Sequence, residues 1–548
     1  MDTSSETKRD GQRQRETARE SLLKFVDALD GREAVSDSPG LRRHLSVLLD
    51  SQGISPQRLV HTAVSSLKSS PQFRVWLEDA ERRDVSAIRE KLGCPEDVEA
   101  LDDPLFHRLL RRAIVADFSI ERLLTTLRHI YLEWLTRGGH EFSEAQLRIA
   151  ASVACHCFNT EHIYVTGDEE QEMVEDLRKR LQEQIATENG NGLAIGLIGY
   201  AMYAPLWTLG ASEKILRIRS RHGLQELDEI LERQIREYEE EAAIRKEIRS
   251  LGMSGEPVTA EVRQQYEESP YPRWLDVTLP RPVRFAEAME RRFPFLGKIE
   301  TGEPVKILVA GCGTGSHPIQ VATHYSDAEV LAMDISKASL ARAIRQAPRY
   351  GLSNLEFMHG DLLCLETSEL QFDAIECIGV LHTLEDPAAG FRALMHVLRP
   401  GGYMRIGVYS RRARLGLEPA KRLIESRQIG RSPVELRAIR DEIIADRQRL
   451  GSSLIENYDF FYLSGFRDLL CPAYELLFTP SELNKLLRDL KLTFLGYRNI
   501  DPELRQSYRE RFPQDLEMRD LDLLDQFEED HPEMLWSLHI FWVRKDLS

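Results

Sequence analysis

The chain has 548 residues, of which 42% are hydrophobic and 29% charged, and its formal net charge is −17. This length predicts roughly three or four domains, and the composition is typical of a soluble globular protein. The acidic excess argues against nucleic acid as a partner, because phosphate binding needs a basic surface. Seven scattered cysteines without zinc-ligand spacing predict a reduced, cytoplasmic protein and no metal site.

The first half of the chain has a helical pattern. Residues 1–20 are polar and charge-dense, which predicts a disordered tail, and residues 21–255 are predicted to form an α-helical domain. Apolar residues recur there at helical spacing, as at Leu123, Leu127, Ile130 and Trp134. The uncharged run Leu193–Leu209 has 17 residues, which is short for a bilayer span, so we predict a buried helix and no membrane association.

An aromatic and proline-containing segment, EVRQQYEESPYPRWLDV (Glu261–Val277), lies within residues 256–300, which we assign to a linker and covering segment. Two interpretations are open. In one, the prolines only fix the path of a linker. In the other, the segment folds over a bound ligand, and Tyr266 and Tyr271 are packing groups.

A glycine-rich loop lies between two apolar runs in VKILVAGCGTGSHPIQVATHYSDAEVLAMDIS (Val305–Ser336). The loop glycines are Gly311, Gly313 and Gly315, and the second run ends on Asp334. This pattern predicts a βαβ nucleotide site, because glycines let the backbone approach a ligand and a carboxylate at the next strand tip binds ribose hydroxyls. The loop is G-C-G-T-G, however, and not the dinucleotide pattern that holds a pyrophosphate.

Further predicted elements follow in the order of an α/β sheet. Leu355–Met358 is predicted as a third strand, FDAIECIGVLHTLEDP contains a fourth, and RPGGYMRIGVYS contains a fifth. We assign residues 301–410 to this core, 411–470 to a helical insertion and 471–548 to the rest of the sheet. The last part contains two predicted strands, Leu492–Tyr497 and an antiparallel one over Trp536–Val543.

The loop and the order of elements resemble class I S-adenosylmethionine-dependent methyltransferases, from about Val305 to Ser410. The resemblance implies an α/β fold with a seven-stranded, doubly wound (Rossmann-like) sheet after the all-α domain, and S-adenosylmethionine as cofactor. It implies that the insertion covers the substrate, that Asp361 binds the adenine amino group and that Leu362 packs on the ring. The implied cofactor-binding residues are Gly311, Cys312, Gly313, Thr314, Gly315, Asp334, Ile335, Asp361, Leu362 and Tyr266. The Glu261–Val277 segment further resembles a bacterial group of these enzymes with a helical N-terminal region.

Two glutamates after the fourth strand, Glu376 and Glu385, are nine residues apart. Their spacing resembles the double-E loop of protein arginine methyltransferases, in which both glutamates hold a guanidinium group. A planar guanidinium presents paired donors that suit carboxylates. The leading hypothesis is therefore an N-methyltransferase for a guanidino group, in free arginine or an arginyl side chain.

Other interpretations of this loop stay open. Glu385 could be a helix N-terminal residue favoured by the helix dipole, and Glu376 could lie near the cofactor amine. His382 is either a general base or a loop histidine that caps the backbone. As a base it would suit a small-molecule N- or O-methyltransferase of secondary metabolism. A third hypothesis is a non-catalytic cofactor-binding protein. We expect a small-molecule or peptide acceptor and a homodimer.

Overall fold

A computed structural model of the chain describes residues 21–33, 38–187, 192–222, 225–450, 454, 457–497, 500–535 and 537–547. The predicted disordered tail and Trp536 lie outside the described residues. The chain divides into two compact units. The first contains the described residues up to Tyr238, with Leu275–Thr278 and Phe461–Leu463, and the second contains Glu239–Trp274, Leu279–Phe460 and the residues from Ser464 on.

The first unit is α-helical, as predicted. Its α-helices are Pro39–Leu49, Val60–Lys68, Pro71–Glu81, Val85–Gly93, Pro95–Val98, Pro104–Arg112, Phe118–Arg137, Glu144–Asn159, Asp168–Ala186, Leu193–Ala201, Ser212–His222 and Gln225–Leu231, with 3₁₀ turns at Pro56–Leu59 and Leu206–Leu209 and a π turn at Glu232–Arg236. The stripe predicted around Leu123 lies on the helix Phe118–Arg137, where Leu123, Leu127 and Ile130 are fully buried. Local sequence also sets the helix ends: Ser143 and Gln146 form a capping box that begins Glu144–Asn159.

The uncharged run of this unit forms the buried helix Leu193–Ala201 and the 3₁₀ turn Leu206–Leu209. Glycine allows close packing on that helix, since a Cβ added at Gly196 would lie 2.8 Å from Leu181 Cδ2. None of the helices in the described ranges combines the length and hydropathy needed to cross a membrane.

The second unit contains the predicted seven-stranded sheet. Its strands are β1 Val305–Ala310, β2 Ala328–Asp334, β3 Leu355–His359, β4 Phe372–Ile378, β5 Leu398–Tyr409, β6 Leu492–Tyr497 and β7 Leu538–Lys545. The order is β3-β2-β1-β4-β5-β7-β6, and β7 is antiparallel to both neighbours. The predicted fold class and the antiparallel last strand are confirmed, although β7 begins at Leu538.

Helices cover both faces of this sheet. The helices that lie wholly or mostly in this unit are Pro257–Glu268, Phe285–Arg292, Ser316–His324, Lys337–Gln346, Pro387–Val397, Glu418–Ser426, Pro433–Ala445, Arg447–Leu450, Leu463–Leu470, Pro480–Asp489, Pro502–Arg511 and Leu521–Asp530, with Glu237–Glu247 at the unit boundary and 3₁₀ turns at Pro294–Leu296, Ala347–Tyr350, Leu362–Thr367, Leu381–Thr383, Leu415–Leu417, Tyr458–Phe461 and Pro532–Met534. Successive strand residues point to opposite faces, so Leu308 packs into one core and Val309 into the other. Burying each such side chain contributes roughly 1.5–3 kcal/mol.

The last part of the predicted helical domain, residues 239–255, belongs to the second unit. Two contacts explain this. Arg345 Nε lies 2.9 Å from Glu241 Oε1, and the Leu251 amide donates a hydrogen bond of 2.8 Å to the His359 carbonyl. The segment before the linker is thus attached to the sheet and its helices, which the helical pattern alone did not indicate.

Candidate active site

A cavity of about 380 Å³ lies at the carboxyl ends of the parallel strands of the second unit, where ligands bind in open α/β sheets. Most of the residues predicted as site residues line it: Gly311, Cys312, Gly313, Asp334, Ile335, Asp361, Leu362, Tyr266 and His382. Thr314, Gly315, Glu376 and Glu385 do not line it. The sequence therefore predicted most of these cavity-lining residues, but not the role of each one.

The glycine loop after β1 is shaped by close packing as well as by its backbone angles. Gly313 has φ +53°, and a Cβ there would lie 2.7 Å from the Tyr271 carbonyl oxygen. Gly315 has φ +99°, and its Cβ would lie 2.7 Å from Ala343 Cβ. A side chain at either position would therefore displace a protein neighbour, in addition to the left-handed backbone that L-residues disfavour. Gly315 packs against the helix Lys337–Gln346 and does not line the cavity.

Asp334 at the end of β2 is held in place by the loop. Its Oδ2 accepts a hydrogen bond of 2.7 Å from the Gly313 amide, and its Oδ1 accepts one of 2.9 Å from the Ser336 amide. Burial raises the pKa of Asp334 to about 6, and the two amide hydrogen bonds oppose this rise. The carboxylate is thus fixed at the cavity wall, where it can accept from ribose hydroxyls.

Asp361, after β3, accepts hydrogen bonds from other groups of the protein. Its Oδ1 accepts from the Leu363 amide at 2.9 Å, and its Oδ2 accepts from the amide of Ser254 at 3.2 Å and from the Ser254 hydroxyl. Asp361 is almost fully buried. An adenine amino group would therefore share Asp361 with Ser254, a residue that the sequence pattern did not indicate.

The covering segment is anchored to the glycine loop through Thr314. The Thr314 hydroxyl donates to the Pro272 carbonyl at 2.5 Å and accepts from Trp274 Nε1 at 2.9 Å. Thr314 is fully buried, so its contact with this segment explains its position in the loop. Since Tyr266 and Tyr271 both line the cavity, the segment is a wall of the cavity rather than a plain linker.

Glu376 and Glu385 are not brought together at the cavity. Glu376 is 1% exposed, and its Oε2 lies 2.9 Å from Arg405 Nη2 and 2.6 Å from His317 Nε2. Glu385 is exposed to solvent, one residue before the N-cap Asp386 of the helix Pro387–Val397. The charge of Glu376 is already compensated by Arg405, so this arrangement does not support a paired-carboxylate clamp.

His382 lines the cavity and is 2% exposed. Its ring centroid lies 4.2 Å from that of Tyr409, and its Nδ1 is buried without a hydrogen-bond partner. Burial and the charge of Arg414 lower the pKa of His382 to about 3. The imidazole is therefore neutral at pH 7, and Nδ1 does not cap the backbone.

A carboxylate from the predicted insertion faces the same space. Asp468 is 7% exposed and lines the cavity. Its Oδ1 accepts from the Tyr266 hydroxyl at 2.8 Å, and its Oδ2 accepts from the Tyr409 hydroxyl at 3.3 Å. Burial raises the pKa of Asp468 to about 6. We call the five cavity-lining residues Tyr266, Tyr271, His382, Tyr409 and Asp468 the Asp468 cluster.

Sequence reasoning missed Asp468, Tyr409, Arg405 and His317. The available signals were weak: Asp468 is an isolated carboxylate in the mainly apolar run FRDLLC, and Tyr409 ends a predicted strand. Tyr266 and Asp468 are 202 residues apart in the chain. No local motif can indicate a contact of that kind.

Comparisons with known proteins match parts of this chain. A family model described as a methyltransferase domain matches residues 307–402. The uncharacterized protein syc1184_c of Synechococcus sp. is 31% identical over 211 residues, which cover 37% of this chain and 50% of that protein. A trans-aconitate 2-methyltransferase of Deinococcus radiodurans is 36% identical over 103 residues, covering 19% and 37%. The structure of PKMT2 from Rickettsia typhi in complex with AdoHcy aligns with a TM-score of 0.35 and 16% identity, over 51% of this chain and 55% of that one.

The strand order and the match to the family model define the sheet and its cavity as a class I methyltransferase domain. The cofactor of this domain is S-adenosylmethionine, as predicted. The chain spans half or less of the length of the two curated relatives described above. The resemblance of the loop after β4 to arginine methyltransferases is not confirmed.

Proposed function

We propose that the chain is an enzyme that transfers the methyl group of S-adenosylmethionine to an acceptor bound at the Asp468 cluster. The supporting observation is that one cavity of about 380 Å³ is lined both by the loop glycines with Asp334 and by Tyr409, His382 and Asp468. A cofactor held by the first set would share this space with an acceptor held by the second.

The residues at the cavity suit a reaction that depends on alignment. Methyl transfer from a sulfonium is an in-line displacement, which requires an unprotonated nucleophile, correct orientation and exclusion of water. Tyr266 and Tyr271 from the covering segment and Asp468 from the insertion surround the space above the strand ends. They support both orientation of the acceptor and exclusion of water.

The acceptor predicted from the sequence, a guanidino group held by Glu376 and Glu385, stays a prediction. The exposure of Glu385 and the ion pair of Glu376 with Arg405 do not support it. The acceptor named for the Deinococcus relative, trans-aconitate, belongs to a protein of which the match covers 37%, so it does not determine the acceptor here.

The second enzymatic hypothesis gives His382 the role of base. The unpartnered Nδ1 favours contact with an acceptor, whereas a pKa of about 3 makes the imidazole a weak base. We therefore assign His382 to hydrogen bonding with the acceptor. Homodimer formation, cytoplasmic location and the absence of nucleic-acid binding stay predictions.

The experiment is incubation of the protein with methyl-labelled S-adenosylmethionine and cell extract, followed by mass spectrometry of the labelled products. We expect a labelled acceptor that disappears in a matched reaction with the Asp334→Ala variant. Binding of S-adenosylhomocysteine without any labelled acceptor would support the non-catalytic hypothesis. Failure to bind the cofactor would contradict the proposal altogether.

A further inference from the structure

We propose that the methyl acceptor is a cationic nitrogen compound, an amine or guanidine, and that Asp468 is its counter-ion. This inference rests on the proposed methyl transfer and names the acceptor of the same cavity. In this inference the Asp468 cluster binds the positive charge, a role that the sequence-based hypothesis gave to Glu376 and Glu385.

The first support is that Asp468 is a buried carboxylate without a cationic partner. Within the described part of the chain, no lysine, arginine or histidine forms an ion pair with Asp468. The nearby Arg414, whose charge lowers the pKa of Asp468, forms its ion pair with Glu475, at 2.6 Å, and its guanidinium lies over the Tyr409 ring at 3.8 Å. A buried charge is costly unless it is paired, and Asp468 lines the cavity, where a bound ligand could pair with it.

The second support is the hydrogen bonding around this carboxylate. The Tyr266 and Tyr409 hydroxyls each donate to one oxygen of Asp468, and burial raises the pKa of both phenols well above 10, so they stay protonated. Gln265 Nε2 also donates to Oδ1, at 3.5 Å, so three of the about four acceptor positions of the carboxylate are used and Oδ2 retains capacity for an N–H donor. The tyrosines therefore orient the carboxylate without satisfying it fully.

Two further groups favour a cation here. Asp459 accepts from the Tyr271 hydroxyl at 3.1 Å, and its charge contributes to the raised pKa of Asp468. The neutral His382, with its unpartnered Nδ1, adds no positive charge and can accept a second N–H of the same ligand. Arg405, which lines the cavity, is paired with Glu376, and the nearby Arg414 is paired with Glu475. An anionic acceptor at Asp468 would therefore meet a carboxylate and no unpaired arginine of these two.

The transfer step balances with one proton released. The bound ammonium loses a proton to the Asp468 carboxylate, and the neutral nitrogen then attacks the methyl carbon. The new N–C bond forms as the C–S bond breaks. The electron pair of the C–S bond stays on sulfur, which gives S-adenosylhomocysteine. The methylated nitrogen carries the positive charge, and the proton passes from Asp468 to solvent. The raised pKa of Asp468, about 6, suits a group that holds this proton transiently.

The test compares four probes of similar shape: butylammonium, butylguanidinium, butanol and butyrate. Their dissociation constants are measured by titration calorimetry on the full chain saturated with S-adenosylhomocysteine. We expect both cations, or one of them, to bind about tenfold or more tightly than butanol and butyrate, because a charge-assisted hydrogen bond replaces a neutral one. The cation that binds more tightly identifies the acceptor class, an amine for butylammonium or a guanidine for butylguanidinium. Equal binding of all probes, or preference for butyrate, would overturn the inference.

The matched variants are Asp468→Asn and Asp489→Asn, the second at an exposed position of the helix Pro480–Asp489. Asp468→Asn should reduce the ratio of cation to butanol affinity to about one, while Asp489→Asn should keep the wild-type ratio. A merely structural role of Asp468 would weaken all probes equally and leave the ratio unchanged, which would also overturn the inference. If Asp468→Asn does not fold, the wild-type comparison decides.

The two proposals fail in different ways. A protein that does not bind S-adenosylhomocysteine contradicts the proposed function before any probe is added. A protein that binds it, and transfers labelled methyl to butyrate or butanol in preference to butylamine, contradicts only the inference about the acceptor.

Discussion

The glycine loop and the Asp468 cluster line the same cavity but are built in different ways. The loop, with Asp334, lies within about thirty consecutive residues, and backbone amides such as that of Gly313 hold the carboxylate. The Asp468 cluster consists of side chains from the covering segment, the loop after β4, the end of β5 and the insertion. The first region is defined by backbone geometry that requires particular residues, whereas the second depends on contacts between distant segments.

Under the proposed function, this difference assigns the selection of the acceptor to the Asp468 cluster. In a βαβ site of this kind, glycines let the backbone approach the ligand, so the same pattern can serve enzymes with unrelated acceptors. Tyr266, Tyr409 and Asp468 are not part of that glycine pattern, so we expect their replacement to affect mainly the binding of the acceptor. The variants below test how independent the two regions are.

The largest effect is expected at Glu376, which the sequence assigned to the acceptor. In Glu376→Gln the partly buried Arg405 and His317 lose their carboxylate, so the free energy of unfolding should decrease by about 3–5 kcal/mol. Urea unfolding followed by circular dichroism measures this. A variant with wild-type stability and reduced turnover would instead place Glu376 at the acceptor site. It would contradict the assignment of the acceptor to the Asp468 cluster.

The next effect concerns the cofactor region alone. Asp334→Ala removes the acceptor for the ribose hydroxyls and leaves the Gly313 and Ser336 amides without a partner, so affinity for S-adenosylhomocysteine should fall by about 1–3 kcal/mol. Titration calorimetry measures the affinity, with Asp489→Ala as the exposed control. Asp468→Ala should bind S-adenosylhomocysteine almost normally. Equal losses in Asp334→Ala and Asp468→Ala would show that the two regions are not independent.

The pH dependence of the affinity for S-adenosylhomocysteine tests the role of Asp334. The ribose contacts predicted for Asp334 require the ionised carboxylate, and burial raises the pKa of Asp334 to about 6. Affinity for S-adenosylhomocysteine should therefore fall up to about tenfold per pH unit below pH 6 and be constant above it. The same raised pKa means that the folded apoprotein binds more protons than the unfolded chain between about pH 4 and 6, so this group makes stability decrease as pH rises through that window. An affinity independent of pH from 5 to 8 would contradict the assignment.

The smallest effect is expected at Glu385. This residue is exposed and does not line the cavity, so Glu385→Gln should leave stability within about 0.5 kcal/mol of wild type and turnover almost unchanged. The assay uses the acceptor that mass spectrometry identifies. A loss of turnover by orders of magnitude, without loss of folding, would revive the guanidinium clamp of the sequence-based hypothesis.

The sequence predicted elements whose pattern is local. Strand β6 and the antiparallel β7 agree with the structure because the alternation of a strand acts over a few residues. The spacing of Glu376 and Glu385 suggested that both lie at one site, and the structure does not bring them together there. The spacing fixes the distance along the chain, but Glu376 lies within β4 against Arg405, whereas Glu385 follows a turn that leads to the surface. Strand register and turn geometry, which decide where each carboxylate points, are not contained in a nine-residue interval.

Tyr266 gives the two regions a thermodynamic connection. Its carbonyl accepts from the Ser336 hydroxyl at 3.0 Å, beside Asp334, and its own hydroxyl donates to Asp468 at 2.8 Å. Any adjustment of this residue when one ligand binds alters the environment of the other. The coupling must be reciprocal: the factor by which the cofactor changes acceptor affinity equals the factor by which the acceptor changes cofactor affinity.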